Sequence, residues 1–183
     1  MAKVLVPLAD GCEELEAVTI IDLLRRAGIE VVAAGLKPGI VNASRGVHLV
    51  PDVTLDVALQ DDYDMVVLPG GMPGATHLGN DPRIIGLLKK MAAADKYTAA
   101  ICAAPAVLAA AGVLDGKSAT SYPGFLDASP APGMKYRADA VVHDGRVVTS
   151  RGPGTAMDFA LTLVELLSGH AKRAEVESGL VRG

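Results

Sequence analysis

The sequence of 183 residues contains only two cysteines, no tryptophan and 3% aromatic residues. Cys12 and Cys102 form neither a CxxC pair nor a Cys/His cluster, which argues against a disulfide framework and against a metal site. Unpaired cysteines fit a reducing compartment, so we predict a cytoplasmic protein. The net charge is −4, and no run of basic residues marks a dedicated nucleic-acid surface.

Long hydrophobic runs are also missing. The longest mildly apolar stretch, residues 97–114, is mostly alanine and is interrupted by Pro105, so we predict no membrane span. The apolar stretch at the N-terminus is too short for a signal peptide. Half of the residues are hydrophobic, and the length suits one domain, which we predict over residues 1–183.

The chain alternates between strand-type and helix-type segments. We predict strands at 3–8, 30–34, 65–68 and 98–101. We predict helices at 13–27, 82–94, 105–111 and 154–168, the last with Thr155 and Asp158 at capping-box spacing. Two segments, 41–50 and 138–149, are predicted β-hairpin insertions. This order predicts an α/β fold with a mostly parallel central sheet between two helical layers.

In such folds, ligands bind beyond the carboxyl ends of the strands. Cys102 lies there, between a predicted strand and the helix that begins at Pro105. Its small neighbours in the stretch AAICAAP resemble the tight turn that exposes a nucleophile in hydrolases, and a helix N-terminus lowers a thiol pKa. We therefore predict a depressed Cys102 pKa. The alternative is a buried cysteine in an alanine-rich core.

Glu16 falls on the apolar side of the helix predicted at 13–27. A carboxylate facing the core resists ionisation unless it has a partner, and a partly protonated glutamate beside a thiolate would relay protons. Acidic residues in a first helical turn also complement the helix dipole. That explanation suffices for Glu13 and Glu14 but explains Glu16 less well.

The glycine pair Gly70-Gly71 follows the strand predicted at 65–68. Adjacent glycines allow backbone N–H groups to approach a ligand oxygen, as an oxyanion hole requires, although an ordinary tight turn explains them equally well. None of the four histidines has the spacing of a triad base. We predict that His143 and His170 lie on the surface.

Five segments in order resemble the ThiJ/PfpI superfamily, in particular the branch of the parkinsonism-associated protein deglycase. They are GCEELEAV (11–18), DLLRRAGIEV (22–31), VVLPGG (66–71), AAICAAP (99–105) and SRGPGT (150–155). The resemblance implies a flavodoxin-like sandwich that needs no cofactor and usually forms a homodimer. It also implies that Cys102 is the nucleophile and Glu16 its partner. Gly71 and Ala103 would supply the oxyanion donors.

Two further positions enter through the resemblance. Arg45 matches a family arginine near the pocket and the dimer contact. Tyr122 occupies the position where some members carry a histidine, and a phenol cannot replace an imidazole base near pH 7. A Cys-His-acid triad, and with it an amidase or peptidase activity, is therefore disfavoured.

The resemblance implies a glyoxalase or deglycase acting on methylglyoxal-type α-oxoaldehydes and early glycation adducts of amines and thiols. The alternative is an oxidative-stress sensor or chaperone whose Cys102 is reversibly oxidised.

Overall fold

The computed structural model describes residues 1–182. The strands are β1 Lys3–Leu8, β2 Glu30–Gly35, β3 Val41–Asn42, β4 His48–Leu49, β5 Val53–Thr54, β6 Met65–Leu68, β7 Tyr97–Ile101, β8 Ser118–Ala119, β9 Lys135–Tyr136, β10 Val141–Asp144 and β11 Val147–Ser150. The helices are α1 Glu14–Arg26, α2 Leu55–Ala58, α3 Gly74–Asn80, α4 Pro82–Ala93, α5 Pro105–Ala110, α6 Ala156–Ser168 and α7 His170–Gly179.

Seven strands form the central sheet in the order β10-β11-β7-β6-β1-β2-β5. All neighbours pair in parallel except β10 and β11, which form an antiparallel edge. From β1 the chain proceeds to β2 on one side and later crosses to β6 on the other. The carboxyl ends of β1, β6 and β7 therefore meet at one edge, and this topology confirms the predicted flavodoxin-like fold.

Helices cover both faces of the sheet. Helices α1 and α6 pack on one face, and α2 to α5 pack on the other. Along β1, Val4 and Val6 face α1 and α6, whereas Leu5 faces the opposite layer. Because parallel strands are buried on both faces, β1 and β6 are continuous apolar runs rather than alternating ones. No helix within residues 1–182 is both long and apolar enough to cross a membrane.

Both predicted hairpins are present, but only the first is an insertion outside the main sheet. The antiparallel pair β3 and β4 forms a separate short hairpin within residues 41–50, as predicted. Strands β10 and β11 also form a hairpin, but β11 pairs in parallel with β7, so this segment extends the main sheet instead of being an insertion. The pairing places Ser150 beside Ile101, directly before Cys102.

The capping-box prediction for Thr155 and Asp158 is wrong. A 3₁₀ turn at Pro153–Thr155 precedes α6, and the Thr155 side chain makes no cap bond to that helix. Its hydroxyl instead lies 2.7 Å from Ser150 Oγ and accepts from the Gly152 N–H at 3.1 Å. Asp158 forms an ion pair with Arg182 at 2.8 Å. Thr155 thus ties the turn to the end of β11, next to the candidate site.

Candidate active site

Cys102 adopts a left-handed backbone conformation with φ +66° directly after β7. This conformation costs a non-glycine residue roughly 1–3 kcal/mol, so the surroundings must hold it. The Cys102 N–H donates to the Ser150 carbonyl at 3.0 Å, and the Cys102 carbonyl accepts from the Tyr122 N–H at 2.8 Å. Two neighbouring segments therefore fix the turn. The thiol-bearing residue is 9% exposed, so it is reachable but largely enclosed.

Gly70 brings the cysteine and Glu16 together because it has no side chain. A Cβ atom at Gly70 would lie 2.5 Å from Cys102 Cβ and 2.9 Å from Glu16 Oε2, distances that no larger residue tolerates. The Gly70 N–H donates to Glu16 Oε2 at 2.8 Å. The prediction that Gly70 serves the oxyanion is therefore corrected, since its N–H is already engaged and positions Glu16 instead.

Glu16 is fully buried, with 0% of its surface exposed. Its second oxygen, Oε1, has no hydrogen-bond partner within residues 1–182. Burial raises the pKa of Glu16 to about 7, while hydrogen bonds from the Gly70 N–H and the Cys102 thiol act in the opposite direction. The carboxyl group therefore takes and gives a proton close to neutral pH, which is where a proton relay operates best.

The expected depression of the Cys102 pKa is not found while Glu16 is ionised. Burial raises the pKa of the thiol to about 12, and the negative charge of Glu16 contributes to the rise. Helix α5 has only six residues, so its dipole is a weak opposing influence. When the proton sits on Glu16, that charge disappears and the carboxylic acid is able to donate to sulfur. Thiolate character at Cys102 thus depends on the protonation of Glu16.

Two backbone N–H groups face the Cys102 sulfur. Those of Gly71 and Ala103 both act to lower the thiol pKa, and neither donates to another oxygen within residues 1–182. Gly71 has φ +86°, and a Cβ atom there would lie 2.7 Å from the Cys12 backbone carbonyl carbon. The loop after β6 is therefore pressed against the loop after β1. Both N–H groups are therefore available as donors next to the Cys102 sulfur.

Glu14 anchors the loop that carries Arg45. Its carboxylate accepts from the Arg45 N–H at 2.9 Å and from Ser44 Oγ at 3.0 Å, and Ser44 Oγ also lies 3.0 Å from Glu13 Oε2. Burial acts to raise the Glu14 pKa, but these hydrogen bonds hold it below its usual value. Helix-dipole compensation, the explanation offered for Glu14 from sequence, is therefore incomplete. The contact with residues 44–45 had no signal in the sequence.

The side chains of Arg45 and Tyr122 lie on the surface. Arg45 is exposed, and its guanidinium makes no ion pair within residues 1–182. Tyr122 is about half exposed; its ring covers Gly152 and meets Phe125 edge-on, with ring centroids 6.5 Å apart. Its backbone N–H donates to the Cys102 carbonyl. The structure therefore places Tyr122 next to Cys102 and Arg45 on the loop anchored to the start of α1.

No histidine completes a triad in the described part of the chain. The rings of His77, His143 and His170 approach the Asp10 carbonyl, the Gly145 carbonyl and the Glu165 carboxylate, respectively, and none has a hydrogen bond to Cys102. His143 and His170 are both exposed, as predicted. The groups that the structure brings together at this candidate site are Cys102, Glu16 and two backbone donors.

The strained cysteine after a central strand and the buried glutamate beside it place the chain among flavodoxin-like α/β proteins that carry a cysteine at a strand-to-helix turn. The chain belongs to the DJ-1/PfpI family, whose model matches residues 2–166.

Three relatives illustrate the match. "Protein dj-1beta" of Drosophila melanogaster is 46% identical over 97% of this chain and 95% of the relative, and its crystal structure superposes with a TM-score of 0.94, covering 100% and 98%. "Glutathione-independent glyoxalase DJR-1.2" of Caenorhabditis elegans is 39% identical over 93% and 90%. The structure "Toxoplasma gondii DJ-1, oxidized" is 41% identical, covers 100% of both chains and has a TM-score of 0.94. The chain spans under half the length of two other curated relatives, both from Arabidopsis thaliana.

Proposed function

We propose that the protein is a cofactor-independent glyoxalase that converts methylglyoxal-type α-oxoaldehydes into α-hydroxy acids, with Cys102 as nucleophile and Glu16 as proton relay. The observation that carries the proposal is the fully buried Glu16, whose pKa lies at about 7 and whose Oε1 lacks a partner, beside the Cys102 thiol. The relative named a glutathione-independent glyoxalase supports the same activity.

The chemistry begins with the transfer of the Cys102 proton to Glu16. The thiolate adds to the aldehyde carbon, forming an S–C bond, and the carbonyl electron pair moves to oxygen. The N–H groups of Gly71 and Ala103 stabilise this oxyanion, which then takes the proton from Glu16. The product is a hemithioacetal, and Glu16 is again a carboxylate.

Glu16 next removes the proton from the former aldehyde carbon and returns it to the adjacent ketone carbon. The hydroxyl proton moves to the neighbouring oxygen, which leaves a thioester of the hydroxy acid on Cys102. The aldehyde carbon is oxidised and the ketone carbon is reduced, so no external oxidant is needed. Water then cleaves the thioester, releasing lactate from methylglyoxal and restoring the thiol. The same addition to early glycation adducts of amines and thiols would give a deglycase activity.

The test is lactate formation from methylglyoxal by the wild type, Cys102→Ser and Cys12→Ala. Cys12 is the matched control because it is also a buried free cysteine, but it lies outside the reacting group. Activity should be lost in Cys102→Ser and retained in Cys12→Ala. Equal turnover by Cys102→Ser and the wild type would refute the proposal.

The second candidate function is a sensor or chaperone for oxidative stress, and the related structure "Toxoplasma gondii DJ-1, oxidized" favours it. Peroxide would oxidise the Cys102 thiolate to a sulfenate with release of water, and a second peroxide would yield the sulfinate. Stoichiometric peroxide consumption without lactate formation would favour this candidate. An amidase or peptidase activity receives no support, since none of the four histidines lies at hydrogen-bonding distance from Cys102 in the described chain.

We also propose a homodimer, supported by exposed apolar side chains around α1. Leu15 and Val18 of α1 are about half exposed, as is Val47, and Val50 is 79% exposed. Val18 and Val50 line one cleft of about 270 Å³ between α1 and the segment after β4. Covering these side chains with a second copy would remove them from water. Arg45, on the adjoining loop, would then lie near the dimer contact.

Two unpaired cysteines support a reducing, cytoplasmic location.

A further inference from the structure

A second cavity adjoins the loop that carries Cys102, since Ala103 is part of its lining. It is a groove of about 230 Å³ between α3 and α5, and its apolar lining includes Met72, Ala75, Ala103, Ala106, Val107 and Phe125. Along α5 and the turn before it, residues 103, 106 and 110 of the lining are alanines. A Cβ atom added at Gly79 of α3 would lie 3.6 Å from the Val107 side chain of α5. Small residues on both helices thus leave the space open.

One end of this groove is built from the same loops as the oxyanion donors. Met72 follows Gly71, whose N–H faces the Cys102 sulfur, and Ala103 supplies both the second N–H donor and part of the groove wall. Phe125 lines the same groove, and its ring meets the Tyr122 ring edge-on. The groove therefore adjoins both donors, close to the carbonyl carbon whose oxygen they would hold.

We propose that the groove is a subsite for the apolar substituent of the substrate, so that the protein prefers aryl or branched-alkyl α-oxoaldehydes over methylglyoxal. The inference rests on the proposed function for its substrate class. Its physical basis is burial of the substituent: a methyl group leaves most of the groove to water, whereas a phenyl ring displaces that water against Val107, Phe125 and the alanines. Even one additional methylene in an apolar pocket changes selectivity by about tenfold or more.

The first experiment does not require turnover. Chloroacetone and phenacyl chloride alkylate a thiolate by forming an S–C bond and releasing chloride, and they differ only in the methyl or phenyl substituent. Rates are followed by mass spectrometry of the peptide that contains Cys102, and each is divided by the rate for glutathione. We expect this normalised phenyl-to-methyl ratio to exceed one by about tenfold or more in the wild type.

Two variants and one control locate the effect. Ala106→Leu fills the groove, and Met72→Ala removes one wall at a residue that is half exposed and so does not threaten the fold. Both should bring the ratio close to one. Ala93→Leu makes the same alanine-to-leucine change at an exposed position of α4 and should leave the ratio unchanged. If Ala106→Leu does not fold, Met72→Ala decides the outcome.

The second experiment compares kcat/KM for phenylglyoxal and methylglyoxal in the same proteins, and phenylglyoxal should be preferred by a similar factor. A normalised alkylation ratio near one in the wild type, or one unchanged by Met72→Ala, would overturn the subsite. If the alkylation preference follows the variants while neither aldehyde is consumed, the subsite stands and the proposed glyoxalase activity falls. Turnover of both aldehydes without preference would leave the activity and overturn the subsite.

Discussion

Replacement of Glu16 by glutamine should change the way stability depends on pH. Burial raises the Glu16 pKa from the ordinary value of 4.5 to about 7. Folding therefore favours the protonated acid, and its stabilising contribution is complete below pH about 4.5. That contribution is lost as the pH rises through about 7. Glutamine has a similar shape and does not ionise, so the Glu16→Gln protein should not show this loss.

The size of the effect follows from the pKa. At about 1.4 kcal/mol for each pKa unit, the rise corresponds to about 3 kcal/mol of unfolding free energy, an upper value since Cys102 titrates with Glu16. For a chain of this size the melting temperature changes by about 2–4 °C for each kcal/mol. Between pH 4.5 and pH 8, the melting temperature of the wild type should therefore fall by about 6–12 °C more than that of Glu16→Gln, because the Glu16 pKa is raised to about 7.

The assay is a set of thermal melts across this pH range, with both proteins also carrying Cys102→Ser so that the thiol does not titrate. The serine hydroxyl is still able to donate a hydrogen bond to the carboxyl group. Only the pH-dependent part of the difference in melting temperature between the two proteins is used, so the constant effect of replacing the carboxyl group by an amide cancels. The same substitution at exposed Glu175 controls for the amide itself. If the melting temperatures of the two proteins change with pH by the same amount, the claim that Glu16 is a buried titrating group is refuted.

Three further perturbations test the site and its supports. Gly70→Ala places a Cβ atom 2.5 Å from Cys102 Cβ and should destabilise the fold by about 1–3 kcal/mol, with turnover reduced more strongly than the melting temperature suggests. Leu15→Asp should convert a dimer into a monomer of 18.7 kDa by light scattering; an unchanged dimer would contradict the proposed interface. Glu14→Gln should make residues 43–47 more susceptible to proteolysis. In the wild type, the stabilisation that the Glu14 carboxylate gives this loop should fade as the pH falls through the lowered Glu14 pKa.

The parts of the fold that depend on local pattern were predictable from the sequence. Helix α1 and strand β1 have strong periodicity or continuous apolar runs, and their observed bounds agree with the predicted ones within one residue. The parallel pairing of β11 with β7 was not predictable, since the two strands are far apart in sequence and each alone resembles one half of a hairpin. The short helices α2 and α3 were missed because four or seven residues show too little periodicity.

The site was predictable to a similar extent. Glu16 was found because it is a carboxylate on an apolar helix face, and Cys102 because of its small neighbours and the proline that follows. The role of Gly70 depends on distances between three separate segments, which no spacing along the chain reports. The raised thiol pKa was missed because a helix N-terminus was weighed without the burial and the Glu16 charge that oppose it.

The most direct test of the cysteine–glutamate pair is the rate of lactate formation from methylglyoxal by Glu16→Gln protein. The glutamine is able to occupy the same space and to bond to Gly70, but it cannot take and return a proton near neutral pH. The rate should fall by about 10²–10⁴, while the thermal melt on the same preparation shows an intact fold. Loss of general acid–base catalysis costs far more than a threefold fall in rate. Turnover within about threefold of the wild type would therefore remove Glu16 from the mechanism.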